Sequence, residues 1–184
     1  MTTVAIHRAT ALSERELNEL CDAAEAAIRD GGGFGWLKPP RRDVQEKYWR
    51  GVMLVPEREL YIARLDDMVC GSAQLLRPAR NNEAQSFACQ MVHAFVAPWA
   101  RGHGLARGLV LAVERAARKA GFKMLTLDVR VTQSAAIHLY ETLGFTCWGT
   151  NPRYALVDGE FVAGRYYQKL LDPEPATSAQ AEAR

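Results

Sequence analysis

The chain has 184 residues, of which 48% are apolar and 24% are charged, and its formal net charge at pH 7 is +2. That length suits a single domain with one hydrophobic core, and the balance of 23 basic and 21 acidic residues leaves no broad charged surface for nucleic acid or a membrane. The N-terminus lacks the apolar run of a signal peptide, and no apolar stretch approaches the roughly 20 residues that span a bilayer. We therefore expect a cytoplasmic protein with neither a nucleic-acid nor a membrane partner.

Cysteine usage points to the same compartment. The chain has four cysteines, none of them in a CxxC pair or at zinc-site spacing from a histidine: Cys21, Cys70, Cys89 and Cys147. We expect free thiols in a reducing environment and no bound metal.

Two helices follow a short first strand at Val4–Ala9. Ser13 and Glu16 form the Ser-x-x-Glu pattern of a capping box, in which each side chain satisfies a backbone N–H of the first turn. The pattern therefore predicts a helix start, and the glycines at 31–33 end that helix. Asp43 and Glu46 predict the start of a second helix, after a loop at 34–40.

The remainder of the chain predicts a sheet with two further helices. Strand-like runs lie at 60–65, 69–76, 85–96, 124–130, 147–156 and 161–171, and helical patterns lie at 106–120 and 134–143. The order β-α-α-β-β-β-α-β-α-β-β predicts an α/β (α+β) fold, with a mixed, mostly antiparallel sheet of six to seven strands flanked by about four helices. We expect residues 1–171 to form one domain, and residues 172–184, which have almost nothing to bury, to form a disordered tail.

The strongest local signal is the glycine-rich segment at 96–106, VAPWARGHGLA, which a strand precedes and a helix follows. Backbone N–H groups in such a loop are unpaired and converge on one point, where the helix dipole adds partial positive charge. Gly102 and Gly104 let a phosphate approach the backbone, and Arg101 adds formal charge at the rim. The segment is typical of a pyrophosphate site.

Two other interpretations of this segment are open. A tight strand–helix turn needs no ligand, and helix N-termini are often empty. Gly102, Gly104 and Gly108 also resemble a dinucleotide fingerprint, but that motif follows the first strand of a βαβ unit and has an acidic residue about 20 positions later. Here several antiparallel-looking strands come first, and no acidic residue ends the next strand in a matching context, which disfavours a nicotinamide cofactor.

Two motifs in the chain resemble the acetyl-CoA-binding signature of the GNAT superfamily of N-acetyltransferases. The first is Arg101-x-x-Gly104-x-Ala106 after Val96-x-Pro98, and the second, roughly 30 residues later, is Ala136-x-x-Leu139-Tyr140-x-x-x-Gly144-Phe145. The order of the predicted elements also fits, and the resemblance extends from Val4 to Leu171. Within the superfamily the chain resembles the tabtoxin-resistance type, through Ser72-Ala73-Gln74-Leu75 and the ending Tyr154…Asp158-Gly159…Tyr167-x-Lys169.

The resemblance implies that acetyl-CoA binds in a wedge between the strands at 85–96 and 124–130. Backbone groups near Phe95 and Val96 would bind the pantetheine arm and the acetyl carbonyl. On the other side, Gln133 and Ala136 would line the cofactor. The loop would cradle the pyrophosphate through Arg101, Gly102, His103, Gly104, Leu105 and Ala106.

Acetyl transfer to an amine requires that the amine lose a proton and that the departing thiolate receive one. The resemblance assigns the acid role to Tyr140, although its place in an apolar helical stripe also fits an ordinary core tyrosine. Some relatives use a glutamate base where this chain has Gln90, which cannot accept a proton. His93 is the candidate base, because an ordinary histidine has a pKa of about 6.5. A structural histidine and deprotonation through water are the alternatives.

The acceptor site is expected near Phe34, Trp36, Arg153 and Tyr154, because aromatic rings can wall an amine pocket and an arginine can bind a carboxylate. Lid packing explains the same residues equally well. We expect a small-molecule amine acceptor, such as an amino-acid-like toxin, antibiotic or metabolite, and a homodimer. Acetylation of a protein lysine or N-terminus, and a non-catalytic acyl-CoA-binding module, are the competing hypotheses.

Overall fold

The structure of the protein is a computed structural model, and it describes residues 2–32 and 35–171. Within those residues the chain forms seven strands and four helices. The strands are β1 (Val4–Ala9), β2 (Arg58–Leu65), β3 (Met68–Leu76), β4 (Ala88–Val96), β5 (Met124–Arg130), β6 (Thr146–Val157) and β7 (Glu160–Leu170). The helices are α1 (Glu14–Arg29), α2 (Arg42–Leu54), α3 (Leu105–Lys119) and α4 (Ser134–Thr142). None of the helices in this part of the chain has the length and apolarity needed to cross a lipid bilayer.

The strands form one sheet in the order β1-β2-β3-β4-β5-β7-β6. Neighbouring strands run antiparallel, except for the parallel pair β4–β5. The prediction of a mixed, mostly antiparallel sheet with flanking helices is confirmed, and so is the order of its elements.

Two hydrophobic cores, one on each face of the sheet, hold the helices in place. Trp49 of α2 and Phe95 of β4 belong to the core under α1 and α2. Leu109 of α3 belongs to the core under α3 and α4. Helix α3 also lies directly against β1, since a Cβ added at Gly108 would come within 2.2 Å of Cδ1 of Ile6.

The sheet opens in the middle, between β4 and β5. Three residue pairs join these strands, from Ala88 with Met124 to Gln90 with Thr126, and the strands separate beyond that point. On its other side β4 pairs with β3, but the register shifts there and His93 takes a left-handed φ of 51°. That conformation costs a non-glycine residue about 1–2 kcal/mol. Backbone strain of this kind is concentrated at functional sites.

Most predicted boundaries lie within two residues of those in the structure, and two of the differences have an identifiable cause. Helix α2 begins at Arg42, one residue before the predicted start, because Asp43 pairs with Arg41 at 3.0 Å instead of capping the helix. Strand β4 begins at Ala88 rather than at residue 85, because Glu83–Gln85 forms a 3-10 turn. The predicted tail at 172–184 lies outside the described residues.

Candidate active site

Two cavities meet at the gap between β4 and β5. The glycine-loop cavity, of about 560 Å³, is bounded by residues 100–107, the C-terminal end of α1 and the start of α4. The hairpin cavity, of about 580 Å³, is bounded by β4, β5, residues 154–156 of β6 and the loop residues at 35 and 37. The residues that line both cavities are Ala94, Gln133, Ala136 and Tyr140. A molecule in one cavity therefore meets a molecule in the other beside Tyr140.

The glycine-rich segment forms one end of the glycine-loop cavity. Gly102 and Gly104 have φ angles of 84° and 75°, in the left-handed region that favours glycine. Gly104 precedes α3 and offers no side-chain cap, so the first N–H groups of that helix have no side-chain acceptor. The helix dipole adds partial positive charge at the same point, and Arg101 and Arg107 line the cavity there. These groups suit a pyrophosphate.

The C-terminal end of α1 lies over this cavity and contacts both of its walls. Asp30 forms an ion pair with Arg101, with 2.7 Å between Oδ2 and Nη1. The carbonyl oxygen of Gly31 accepts hydrogen bonds from Nε2 of Gln133 at 2.8 Å and from Nη2 of Arg130 at 3.0 Å. We call these three contacts the α1 clasp. The clasp connects the loop after β4 with β5 and α4, across the gap.

Tyr140 stands where the two cavities join. The residue is 7% exposed, and its ring packs against Phe145 and Tyr167. Burial, with the negative charge of Asp128 as the smaller cause, raises the pKa of the Tyr140 hydroxyl to about 12. No hydrogen bond joins this hydroxyl to another group within residues 2–32 and 35–171. The hydroxyl is therefore a protonated donor, available to whatever occupies the cavities.

His93 lines the hairpin cavity from the irregular part of β4. Its Nδ1 lies 2.6 Å from Oη of Tyr48, and that oxygen accepts a hydrogen bond from Nε2 of Gln74 at 3.0 Å. Behind Gln74, Nη1 of Arg58 donates to Oε1 of Gln74 at 2.6 Å. Burial lowers the pKa of His93, the charge of Arg58 lowers it further, and the charge of Asp128 opposes the change. The imidazole is therefore neutral at neutral pH and can accept a proton.

Asp128 on β5 lies in the hairpin cavity and is absent from the sequence predictions. Its Oδ1 accepts a hydrogen bond from Nε2 of Gln90 at 2.9 Å, and its Oδ2 accepts one from the hydroxyl of Tyr154. Burial, and secondly this hydrogen bond, raise the pKa of the Tyr154 hydroxyl. The sequence does carry a signal for Asp128, because an acidic residue in the middle of the central strand MLTLDVR is unusual.

Most residues predicted to bind the cofactor lie together. The glycine-loop cavity is lined by Phe95, Val96, Arg101, Gly102, Gly104, Leu105, Ala106, Gln133 and Ala136. His103 differs from them, because its side chain is exposed and turns back to the carbonyl oxygen of Ala100, 3.3 Å from Nδ1. His103 does not line the cavity as the other loop residues do, and its contact with the phosphates stays a prediction.

Only some of the residues predicted to bind the acceptor line the hairpin cavity. Tyr154 lines the hairpin cavity, whereas Trp36 and Arg153 do not. Trp36 packs edge-on against Tyr48 with 5.2 Å between ring centroids, and the guanidinium of Arg153 lies 5.1 Å from the ring centroid of Phe161. Both side chains make packing contacts outside the cavity instead. Phe34 lies outside the described residues.

Comparison with known proteins decides the family. A model of the acetyltransferase (GNAT) family matches residues 18–145, which is more than half of the chain. The chain belongs to the GNAT family. As a GNAT enzyme it is an acetyl-CoA-dependent N-acetyltransferase, and the glycine-loop cavity is where its own residues suit that nucleotide.

Individual relatives agree with this assignment. An uncharacterized N-acetyltransferase from the hisH–hisA intergenic region of Azospirillum brasilense is 56% identical over 133 residues, which cover 72% of this chain and 79% of that protein. An N-acetyltransferase from Staphylococcus aureus Mu50 has a TM-score of 0.78 at 19% identity, covering 92% of this chain and 99% of that one. The yncA protein of Salmonella typhimurium, solved with its cofactor acetyl-CoA, has a TM-score of 0.76 at 19% identity, covering 96% and 99%. These two structures show that the GNAT enzyme shares their fold.

Proposed function

We propose that this GNAT enzyme transfers the acetyl group of acetyl-CoA directly onto a primary amine of a small molecule, such as an amino-acid-like toxin, antibiotic or metabolite. The observation that carries the proposal is the hairpin cavity, which has a volume of about 580 Å³ and joins the glycine-loop cavity at Tyr140. Small-molecule sites have volumes of about 300–1,000 Å³. Strands and a loop line this cavity, and its volume suits a small amine.

The amine must lose a proton before it attacks, because an alkylammonium has a pKa of about 10 and no lone pair. In the proposed reaction His93 accepts that proton, since burial keeps its imidazole neutral. The proposed reaction requires the tautomer in which the N–H of Nδ1 donates to the oxygen of Tyr48, 2.6 Å away, because that tautomer has its lone pair on Nε2. The strained φ of His93 holds the ring at this place in the cavity wall.

The attacking nitrogen forms a bond to the thioester carbon, and the carbonyl oxygen takes up negative charge that needs a fixed donor. Beyond Gln90, β5 does not pair with the edge of β4 that faces the gap, so backbone N–H groups near Val96 supply that donor. The carbon–sulfur bond then breaks, the hydroxyl of Tyr140 donates a hydrogen bond to the departing thiolate, and the nitrogen loses its second proton to solvent. Solvent also takes the first proton from His93 and protonates the released thiolate. The products are the acetylated amine and CoA.

Acetyl-CoA and CoA should each raise the melting temperature of the protein, whereas NADH and NADPH at the same concentration should not. A ligand that binds only the folded state adds about 2.7 kcal/mol to the free energy of unfolding at a hundredfold excess over its Kd. For a chain of this length that corresponds to roughly 5–11 °C, which differential scanning fluorimetry resolves.

Release of CoA thiol in the presence of an amine panel then tests the acceptor, with peptides bearing a lysine or an unblocked N-terminus as the comparison. Faster turnover with the peptides would overturn the small-molecule assignment. An absence of melting shift with both CoA species, or of turnover with every amine, would overturn catalysis as proposed.

The pH dependence of kcat/KM should rise with pH through the pKa of His93, because only the neutral imidazole accepts a proton. Since burial lowers that pKa, the midpoint of this rise should lie below the ordinary value of about 6.5. His93→Gln should remove the rise and lower kcat/KM by roughly 100-fold. Deprotonation of the amine itself gives a separate rise near pH 10, by its pKa of about 10.

His7→Gln is the matched control, because His7 is exposed on β1 at the far edge of the sheet. It should leave the pH profile unchanged. A His93→Gln profile that retains the acid limb would assign that limb to another group, and deprotonation would then proceed through water.

Two further proposals concern the state of the enzyme in the cell. We propose a cytoplasmic location, which the four free thiols of the structure support. We also propose a homodimer that forms along β6, an edge strand with exposed apolar side chains at Trp148 and Leu156, beside the exposed Phe161 of β7. Sedimentation equilibrium at micromolar concentration should give twice the mass of the chain, and the mass of one chain would rule the dimer out.

A further inference from the structure

The hairpin cavity contains a carboxylate whose charge the surrounding protein does not neutralise. Asp128 is half-buried on β5, and its two hydrogen-bond partners, Gln90 and Tyr154, are both neutral. Within residues 2–32 and 35–171, no lysine, arginine or histidine lies within ion-pair distance of Asp128. Arg130, the arginine that also lines the cavity, donates instead to the carbonyl oxygen of Gly31 at 3.0 Å.

The carboxylate is held firmly in place. Gly164 makes room for the ring of Tyr154, since a Cβ at position 164 would come within 2.2 Å of that ring. The Tyr154 ring also packs edge-on against Tyr166 at 6.1 Å. A carboxylate can accept about four hydrogen bonds, and Asp128 accepts two from the protein. Each oxygen therefore retains acceptor capacity for a bound molecule in the cavity.

Asp128 lies on the acceptor side of the point of transfer. It lines the hairpin cavity but not the glycine-loop cavity, whereas Ala94, Gln133, Ala136 and Tyr140 line both. A carboxylate in contact with the reacting nitrogen would raise the pKa of that amine and keep it protonated and unreactive. A carboxylate in contact with another cationic group of the same acceptor has no such cost. Moreover, a second positive charge lowers the pKa of the reacting amine by repulsion.

We propose that Asp128, oriented by Gln90 and Tyr154, binds a second positive charge on the acceptor, so that the enzyme selects amines that carry another ammonium or a guanidinium group. Diamines, amino-guanidines and amino sugars with several ammonium groups have this chemistry. The same carboxylate repels acceptors whose other end is anionic. This inference rests on the proposed function, and it adds the charge of the acceptor to it.

Three amines of equal chain length test the inference: 1,3-diaminopropane, propylamine and β-alanine. In the wild-type enzyme the KM for 1,3-diaminopropane should be about 10- to 100-fold below that for propylamine, because one hydrogen bond to a charged group accounts for such a factor. This difference comes on top of the twofold advantage that the diamine has from its two equivalent amines. The KM for β-alanine should be the highest of the three. Asp128→Asn keeps the size of the side chain and removes its charge; the amide oxygen still accepts from Gln90, and the amide NH2 donates to the oxygen of Tyr154 instead. The KM ratios should then fall to within about threefold of unity.

Asp158→Asn is the matched control. Asp158 lies in the turn between β6 and β7 with a φ of 49°, a conformation that asparagine tolerates well, and it does not line the cavity. This variant should keep the wild-type ratios. Asp128→Glu retains the charge and should keep the preference for the diamine, which also provides the test if Asp128→Asn does not fold.

The same three amines are titrated calorimetrically into CoA-saturated protein, so that binding is measured without turnover. Preferential binding of the diamine that Asp128→Asn abolishes supports the inference even if no amine is acetylated, a result that would overturn only the proposed function. The inference is overturned if the three amines have similar KM and Kd values in the wild-type enzyme, or if the preference for the diamine persists in Asp128→Asn. So does an equal loss of kcat for all three amines in Asp128→Asn, because that result places Asp128 on the reacting nitrogen.

Discussion

Replacing Tyr140 by phenylalanine should lower kcat by about 10²–10³-fold and leave the melting temperature almost unchanged. The ring stays in its aromatic contacts, and the hydroxyl gives up no hydrogen bond within the described part of the chain. The substitution should therefore change the free energy of unfolding very little. Catalysis loses the donor that meets the departing thiolate, and removal of one preorganised donor costs about this factor.

The raised pKa of Tyr140 specifies what the hydroxyl does. Burial raises that pKa to about 12, so the group stays protonated over the whole working range of an enzyme. A thiol has a pKa of about 8.5, and complete transfer of the phenolic proton to the thiolate is therefore uphill. We expect Tyr140 to stabilise the thiolate by a hydrogen bond. For the same reason, Tyr140→Phe should not alter the basic limb of the pH profile below pH 10.

Tyr167→Phe serves as the control for Tyr140→Phe. Tyr167 is fully buried, packs 6.4 Å from the Tyr140 ring and lines neither cavity. Its hydroxyl bonds to Glu141 at 2.8 Å, so this variant should lose about 1 kcal/mol of unfolding free energy and keep its kcat. Equal kcat losses in the two variants, or a Tyr140→Phe enzyme with wild-type kcat, would leave Tyr140 as a core residue.

Gly104→Val should abolish binding of CoA at concentrations about 100-fold above the wild-type Kd. Gly104 has a φ of 75° at the start of α3, where a β-branched residue is strained by about 1–3 kcal/mol. A Cβ there meets no protein atom within 4 Å, and Gly104 lines the glycine-loop cavity, so we expect the new side chain to occupy space beside the phosphates without disturbing the core. Phosphate oxygens are then kept away from the backbone N–H groups. Isothermal titration with CoA measures the loss.

Gly121→Val separates this effect from strain alone. Gly121 follows the other end of α3, has a φ of 83° and likewise has no protein atom within 4 Å of an added Cβ, but it lines neither cavity. It should lose similar stability and bind CoA with wild-type affinity. If both variants bind CoA normally, the phosphates do not lie against Gly104.

The cofactor half of the site could be predicted from the sequence because its signals are local. The glycines at 102 and 104, Arg101 and the helix that follows are contiguous, and their backbone geometry places them together without help from distant residues. His103 is the exception, because it belongs to the same segment but does not line the cavity. Proximity in sequence places a residue in the loop, but it does not determine which way the side chain turns.

The acceptor half depends on contacts that the sequence does not reveal. Three different strands supply the contacting residues Asp128, Gln90 and Tyr154. Their side chains meet because β4 and β5 separate after three residue pairs, and because β6 is irregular between Asn151 and Ala155. The separation of β4 from β5 has no recognisable sequence pattern. Pro152 signals an irregularity in β6, but it does not determine which side chain then enters the cavity. Residue type alone therefore predicts the acceptor residues incompletely: Tyr154 lines the cavity, whereas Trp36 packs on Tyr48 and Arg153 on Phe161.

The short run of paired residues between β4 and β5 also determines how firmly the two halves of the sheet are connected. The sheet has two halves, or leaves: strands β1–β4 form one and strands β5–β7 form the other. Three residue pairs connect the leaves at one end of the gap, and the α1 clasp connects them at the other. The clasp is built from exposed side chains, so it resists separation weakly compared with a continuous backbone ladder. We therefore expect a nucleotide bound in the gap to brace the two leaves against each other, and the sheet to be more easily deformed once the nucleotide leaves.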